Sequence, residues 1–230
     1  MWGFFINLGM ELYHSIYKIV CMKKLIGLFA LLMMGLNVIA QQRVVAECTI
    51  TYAINIDDTQ ASNDAIASLK SSSKTVFIKG VNSRTDLVSP TFMQSMIYQK
   101  NTGTAVILRE FGANKFMTKL DGTKWKEENK KFEGMRIETS SETKTIIGYE
   151  CKKVNLLFSN GSTFSVYYTP AIVPSVKEFE YQFKDIPGLV LESESIDAEG
   201  NKIRYTAKQI NFNPVPPSKF DIPTSGYRIL

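Results

Sequence analysis

The chain has 230 residues, 44% of them hydrophobic, and its 27 Lys and Arg against 22 Asp and Glu give a net charge of +5 at pH 7. This mildly basic balance gives no reason to invoke nucleic acid as a partner. The single histidine, His14, lies within the first forty residues. Residues 41–230 therefore have no imidazole for a Ser-His or Cys-His pair or for a metal site.

Residues 1–40 have the pattern of a leader rather than of a folded domain. Lys23 and Lys24 precede an apolar run at residues 25–40, which ends at the small residue Ala40. A basic segment, an apolar run and a small residue predict a secretory signal peptide that is cleaved after Ala40. The run of sixteen residues is short for a membrane span.

The leader determines what product we expect. Residues 1–21 would be an abnormally long extension ahead of a signal peptide, so we expect translation to start at Met22. Cys48 follows the acidic Glu47, which argues against a lipid-anchored cysteine. We therefore expect a periplasmic or secreted, soluble protein without a transmembrane span, in which residues 41–230 form a single β-rich domain of about 190 residues with a sizeable core. Its net charge is +3.

Most of this domain consists of β-branched and aromatic runs separated by Gly, Asn and Asp, which is typical of an antiparallel meander. A polar stretch after the first strand predicts either a short helix at residues 64–70 or a mobile loop. We expect about eight to eleven strands and one or two short helices. Outside the hairpin discussed next, the predicted strands cover residues 46–56, 75–80, 83–88, 93–100, 104–110, 114–120, 189–196 and 201–212. The tail, which contains Pro214, Pro216, Pro217 and Pro223, is expected to run along the surface or an edge.

A hairpin around Gly161 allows its register to be predicted. A two-residue Asn-Gly loop would put the apolar residues of the two strands on opposite faces, because side chains alternate with period two. A three-residue loop at residues 159–161 instead pairs Leu156 with Phe164 and Val154 with Val166. It also places Gly161 where such a loop needs a positive φ. We expect the three-residue loop.

Residues 185–192, DIPGLVLE, resemble the signature of the GLPGLI family of bacterial secreted proteins. Within them, residues 186–189 fit a type II turn with Gly188 at its third position. The residues that match the signature are Pro187, Gly188, Leu189, Leu191 and Glu192, whereas Asp185, Ile186 and Val190 replace its Gly, Leu and Ile. Residues 148–154 and 215–227 also resemble this family and a related secreted family of unknown function.

The resemblance implies a fold and a compartment but no catalytic residues. The fold it implies is mainly β, a single curved antiparallel sheet in the form of a half-barrel with one or two short helices, like that of the periplasmic lipoprotein carriers (LolA-like). An apolar concave face on such a sheet would hold an acyl chain or another hydrophobic ligand. The candidate ligand-binding residues on it are Phe158, Phe164 and Tyr168, from an aromatic set that includes Phe179, Tyr181 and Phe183. The same residues also fit an ordinary core.

Trp125 is a fourth candidate, because it is surrounded by Lys124, Lys126, Lys130 and Lys131. One interpretation is a site for an anionic ligand or a lipid headgroup. The other is a solvated turn or helix with a partly buried tryptophan, which the interspersed glutamates favour.

Four acidic residues after the family-like segment, Glu192, Glu194, Asp197 and Glu199, do not have the spacing of an EF-hand loop. We expect them to form a solvated strand face, and we expect neither a metal site nor a cofactor.

Cys48 and Cys151 are the cysteines that remain after the leader. In a compartment that permits disulfides, they form either a structural bridge or two buried thiols. Neither has a partner base for a catalytic role.

These observations favour a non-catalytic secreted or periplasmic binding module, for a lipid or a lipidated partner in the concave face of the sheet. The alternative is an envelope protein that interacts with other proteins or has a structural role and takes no small ligand. An enzyme would need a pair of carboxylates that face a cleft, and no pair is singled out.

Overall fold

Strands dominate the described part of the chain, which in this computed structural model comprises Met22 and residues 42–56, 71–196 and 202–230. The strands are β1 (Arg43–Val45), β2 (Glu47–Ile56), β3 (Ser73–Lys79), β4 (Asn82–Val88), β5 (Met93–Gln99), β6 (Thr104–Phe111), β7 (Asn114–Leu120), β8 (Arg136–Ile146), β9 (Tyr149–Leu157), β10 (Thr163–Thr169), β11 (Ile172–Pro174), β12 (Leu189–Ile196), β13 (Lys202–Asn211) and β14 (Arg228–Ile229). The one α-helix in these ranges is α1 (Gly122–Glu128), and 3₁₀ helices lie at Lys130–Phe132, Tyr181–Phe183 and Pro217–Phe220. The predicted helix at residues 64–70 and the predicted cleavage site after Ala40 lie outside the described residues.

Twelve of these strands form one large curved sheet in the order β14-β7-β6-β5-β4-β3-β2-β13-β12-β10-β9-β8. β2 to β7 form an up-and-down meander, and β13 returns to pair with β2, which joins the two halves of the sheet. Neighbouring strands are antiparallel except β14, which runs parallel to β7. This arrangement confirms the prediction of a mainly β protein with a large curved sheet. A separate pair of parallel strands, β1 and β11, was not predicted.

Fourteen strands lie in the described residues, more than the sequence predicted. The four strands missed are β1, β8, β11 and β14. Three of them have two or three residues, which is too short for a period-two pattern to appear. β8 has eleven residues, RIETSSETKTI, but it is an edge strand with mostly exposed side chains, so it lacks alternating apolar residues.

The two faces of the sheet are covered by different segments. The inner face carries Ile50, Val76 and Tyr98, and it packs against residues 175–187, which we call the strap. The outer face of β5 to β7 is apolar as well, and the tail covers it with Val215 and Phe220. The tail thus lies over a face and ends by forming the edge strand β14, consistent with its predicted course.

The predicted hairpin register is confirmed. Leu156 pairs with Phe164, Val154 pairs with Val166, and Gly161 has a φ of +84° in the connecting loop. The predicted type II turn before β12 is wrong, because Gly188 does not have the positive φ that its third position requires. Instead, the Gly188 N–H donates to the Ile186 carbonyl at 2.9 Å, which closes a tighter turn around Pro187.

Candidate functional site

A cavity of about 400 Å³ lies on the inner face, between the sheet, the strap and α1. Leu87, Met96 and Ile107 form an apolar wall on β4, β5 and β6, and Phe132 and Phe183 contribute aromatic rings from the covering segments. Polar side chains complete the lining, including Gln94, Gln182 and Ser195. The cavity is therefore amphipathic rather than uniformly apolar.

α1 holds Trp125 against the sheet. The Asp121 carboxylate caps the helix by accepting hydrogen bonds from the N–H groups of Thr123 at 3.0 Å and Lys124 at 2.9 Å. At the other end, the Asn129 side-chain amide donates to the Trp125 carbonyl at 2.8 Å. The Trp125 ring is 6% exposed and lies 5.2 Å from the Tyr98 ring. Of the turn or helix named in the second interpretation, the structure shows the helix, but its tryptophan is buried rather than partly buried.

The strap is fastened to the sheet by a buried ion pair. Lys74 on β3 contacts Glu180 of the strap, and their side chains are 10% and 12% exposed. The Lys74 ammonium also lies 4.6 Å from the Tyr205 ring and 5.2 Å from the Tyr52 ring. Within the strap itself, the Lys177 ammonium donates to the Ile186 carbonyl at 2.9 Å, which ties its two ends together. The cover of the cavity is thus held by polar contacts as well as by apolar packing.

Glu192 and Glu194 do not form a solvated strand face, which corrects the prediction made for them. Glu192 is 7% exposed and contacts Lys144, and the Glu194 side chain is 9% exposed and lies 3.0 Å from the Lys202 ammonium. Arg204 approaches Glu194 at 3.6 Å. Cations on the adjacent strand β13 and on the more distant strand β8 compensate these carboxylates, which allows their burial. Asp197 and Glu199 lie outside the described residues.

Glu194 also lines the cavity, where it is held in its ionised form. Burial tends to raise the pKa of Glu194, but the hydrogen bond from the Ser165 N–H and the charges of Lys202 and Arg204 outweigh burial and lower the pKa overall. An ionised carboxylate with a lowered pKa is poorly suited to donate a proton near neutral pH.

The aromatic candidates separate into two groups. Tyr168 is buried in a cluster with Phe183 and Ile186, and the rings of Phe158 and Phe164 meet edge to face at 5.2 Å. Within the described chain, none of these three candidates lines the 400 Å³ cavity. Tyr168 belongs to the core and Phe158 packs half-buried against it, whereas Trp125 and the strap aromatics Phe179, Tyr181 and Phe183 line the cavity.

Cys48 and Cys151 are free thiols, fully buried and not within disulfide distance of each other. Burial raises the pKa of Cys48 to about 12 and the pKa of Cys151 to about 11. Of the two predicted alternatives, the structure shows the buried thiols, and both are held in the protonated, unreactive form.

The sequence did not single out the residues of the sheet that line the cavity. Thr85, Leu87, Met96 and Ile107 were assigned to strands, but their period-two pattern is the same whether a strand faces a cavity or a packed core. The position of the cavity above these residues is set by how the strap and α1 lie on the sheet. That arrangement depends on tertiary contacts such as the one between Lys74 and Glu180. No local signal could have found them.

Among the described residues, no helix combines the length and the apolar composition that a membrane span needs. No group of three or more His, Cys, Asp or Glu among them is placed to hold a metal ion.

This chain is distantly similar to several solved structures. No family model and no curated protein matches the chain, so the resemblance to the GLPGLI family stays a prediction. A structure of PNGF-II matches 81% of the chain at 15% identity with a TM-score of 0.47, and the chain spans 31% of the length of that protein. MucB matches 80% of the chain at 11% identity with a TM-score of 0.39, over 59% of its own length. A LolA superfamily protein from Nitrosomonas europaea matches 80% of the chain at 10% identity with a TM-score of 0.34, over 94% of its own length.

Proposed function

We propose that this chain is a non-catalytic periplasmic or secreted binding module that takes a lipid or a lipidated partner in the cavity on the inner face. The observation that carries the proposal is the cavity itself, which has an apolar wall of Leu87, Met96 and Ile107 and a volume of about 400 Å³. Pockets that bind small ligands have volumes of about 300–1,000 Å³ and combine apolar walls with a few polar groups.

The charges around the cavity support binding rather than catalysis. Glu180 is paired with Lys74, and Glu194 is paired with Lys202 and Arg204. A hydrolytic pair would need one carboxyl group with a raised pKa to act as an acid. The lowered pKa of Glu194 makes it unsuited to that role.

Native mass spectrometry of the protein purified from its own cells tests this proposal, with two variants on β4. Leu87→Trp fills the cavity, whereas Val88→Trp adds the same ring one residue further on, at a side chain that is 40% exposed and outside the cavity lining. We expect an adduct of lipid mass on the wild type and on Val88→Trp, and we expect Leu87→Trp to lose it. An adduct that survives in Leu87→Trp would place the ligand elsewhere. A clean mass after incubation with membrane extract would contradict the proposal.

A second candidate function is protein interaction without a small ligand. β8 favours it, because this strand of eleven residues forms an edge of the sheet and hydrogen-bonds to another strand on one side, β9, within the described chain. Exposed edges of this kind accept an additional strand from a partner. A clean mass together with capture of a partner that is lost when Pro is introduced at β8 would favour this function.

A further inference from the structure

The Trp125 indole N–H is a buried donor without an acceptor among the described residues. Trp125 is 6% exposed and lines the cavity, so its N–H is shielded from bulk water. The indole N–H can only donate a hydrogen bond, and a buried tryptophan usually has a partner for it. A donor of this kind in a cavity wall calls for an acceptor atom in the cavity.

The Thr85 hydroxyl is a second buried polar group without a partner among the described residues in the wall of this cavity. Its Oγ1 has no hydrogen-bond partner in the described chain, and Thr85 lines the same cavity. Thr85 pairs with Met96 across β4 and β5, and Tyr98, on which the Trp125 ring packs, lies two residues further along β5. Both groups therefore belong to one region of the inner face.

The charges that line the cavity already have partners or face solvent. Lys74 is paired with Glu180, and Glu194 is paired with Lys202. The other charged side chains of the lining, Glu128 and Lys131, are exposed and opposite in sign. Among the buried side-chain atoms of the described lining, the hydrogen-bonding capacity that is left over thus consists of two neutral groups beside an apolar wall.

We propose that the cavity recognises an uncharged acyl ester or amide. Its carbonyl oxygen accepts hydrogen bonds from Trp125 Nε1 and Thr85 Oγ1, and its chain lies against Leu87, Met96 and Ile107. This inference rests on the proposed function and specifies the ligand class. A neutral carbonyl satisfies both groups without burying a further charge, which would need a counter-ion of its own.

Calorimetric titration of the full chain with three probes, each with a chain of eight carbons, tests the inference. Methyl octanoate offers a neutral carbonyl, octanoate offers a charged acceptor, and octylammonium offers no acceptor. Thr85→Val removes the hydroxyl at nearly constant shape, and Trp125→Phe removes the N–H. Ser83→Ala is the matched control, because the Ser83 hydroxyl is also buried and unpartnered in the described chain but lies outside the cavity lining.

We expect the wild type to bind methyl octanoate more tightly than the two charged probes. Thr85→Val and Trp125→Phe should each weaken its binding by roughly three- to tenfold, as for one neutral hydrogen bond, and should leave octylammonium unchanged. Ser83→Ala should change the binding of neither methyl octanoate nor octylammonium. Thr85→Val and Ser83→Ala should both raise the melting temperature without ligand, because each removes an unpartnered hydroxyl, so weaker binding by Thr85→Val cannot be attributed to unfolding.

Several results would overturn the inference. If the two variants lose equal affinity for all probes, they act through the shape of the cavity. If they lose no affinity for methyl octanoate, water satisfies the two groups instead. Tighter binding of octanoate would exclude an uncharged ligand. In each of these cases the probes still bind, so the proposed function survives. If no probe binds the wild type, the inference fails, and the native mass spectrum then shows whether the proposed function fails with it.

Discussion

Gly188 lies where the strap ends and β12 begins, packed against the backbone of β10. A Cβ atom at this position would lie 2.2 Å from the Thr169 carbonyl oxygen and 2.8 Å from a ring carbon of Tyr168. Neither neighbour can retreat easily, because Thr169 is fully buried and Tyr168 is packed in the core. Glycine is therefore required here by close approach of two backbones rather than by its φ angle.

We expect Gly188→Ala to lower the free energy of unfolding by about 3 kcal/mol, because the added methyl group overpacks a buried contact. Urea unfolding monitored by circular dichroism measures the change. Gly112→Ala is the control, since Gly112 has a φ of +56° with no atom within 4 Å of the added Cβ. Backbone strain alone should make that variant about 1 kcal/mol less stable. Equal losses in the two variants would contradict the close-approach argument.

Single residues show why some turns could be predicted from sequence and others could not. Gly161 follows Asn160 in a loop whose length the apolar pattern fixes, so both its position and its positive φ were predicted correctly. The turn between β8 and β9 instead uses Ile147, which has a φ of +44°. A β-branched residue rarely adopts this conformation, so the sequence signals this turn only through Gly148, which has a φ of +85°. β8 was missed for this reason as well as for its polar composition.

At the level of elements, the strap is the segment whose attachment determines whether the cavity exists. Its Glu180 reaches Lys74 on β3, and its Glu178 lies 3.3 Å from the Lys100 ammonium at the end of β5. The first pair is almost fully buried, whereas the Lys100 side chain is 44% exposed. Removing one partner of the buried pair should therefore cost far more stability than removing one partner of the exposed pair, because it leaves a buried charge without a counter-ion.

We expect Lys74→Met to destabilise the protein by about 3 kcal/mol, because it leaves the Glu180 carboxylate buried without a cation. The double variant Lys74→Met/Glu180→Leu should recover most of this loss, since an apolar pair of similar volume can replace a buried ion pair. Urea unfolding gives the free energies, and hydrogen exchange of the strap shows whether it detaches. The exposed pair of Lys130 and Glu127 provides the control, and Lys130→Met should have little effect. A double variant no more stable than Lys74→Met would contradict the assigned role.

The elements of the meander were predictable because each follows from local pattern. β2 alternates buried and less buried residues over most of its length, with Ile50, Tyr52 and Ile54 on the buried side as the sequence indicates. The covering segments were not predictable in the same way. The strap contains Phe179 and Phe183, whose burial depends on where the chain crosses the sheet, and that course is set by contacts distant in sequence.

For the whole molecule, the arrangement of ion pairs between elements makes stability depend on acid pH. Hydrogen bonds from Lys79 to Glu47, from Tyr227 and Lys115 to Glu110, and from Lys153 and Tyr167 to Glu142 lower the pKa of each of these carboxyl groups. For Glu178 and Glu194, burial acts to raise the pKa, but backbone hydrogen bonds and neighbouring lysines outweigh it and lower the pKa overall. These glutamates connect strands of both halves of the sheet, the strap and the tail.

A carboxyl group whose pKa is lower in the folded than in the unfolded state stabilises the fold above its unfolded pKa, about 4.3 for glutamate, and this stabilisation is lost as the pH falls through the folded value. We therefore expect a melting temperature that is nearly constant from neutral pH to about pH 5 and then falls. Glu194→Gln should melt lower than the wild type at neutral pH, and the gap should close in acid, where the wild-type carboxyl is protonated as well. Glu127→Gln, at a side chain 72% exposed, should follow the wild type throughout. A gap for Glu194→Gln that does not change with pH would mean that its effect is steric rather than electrostatic.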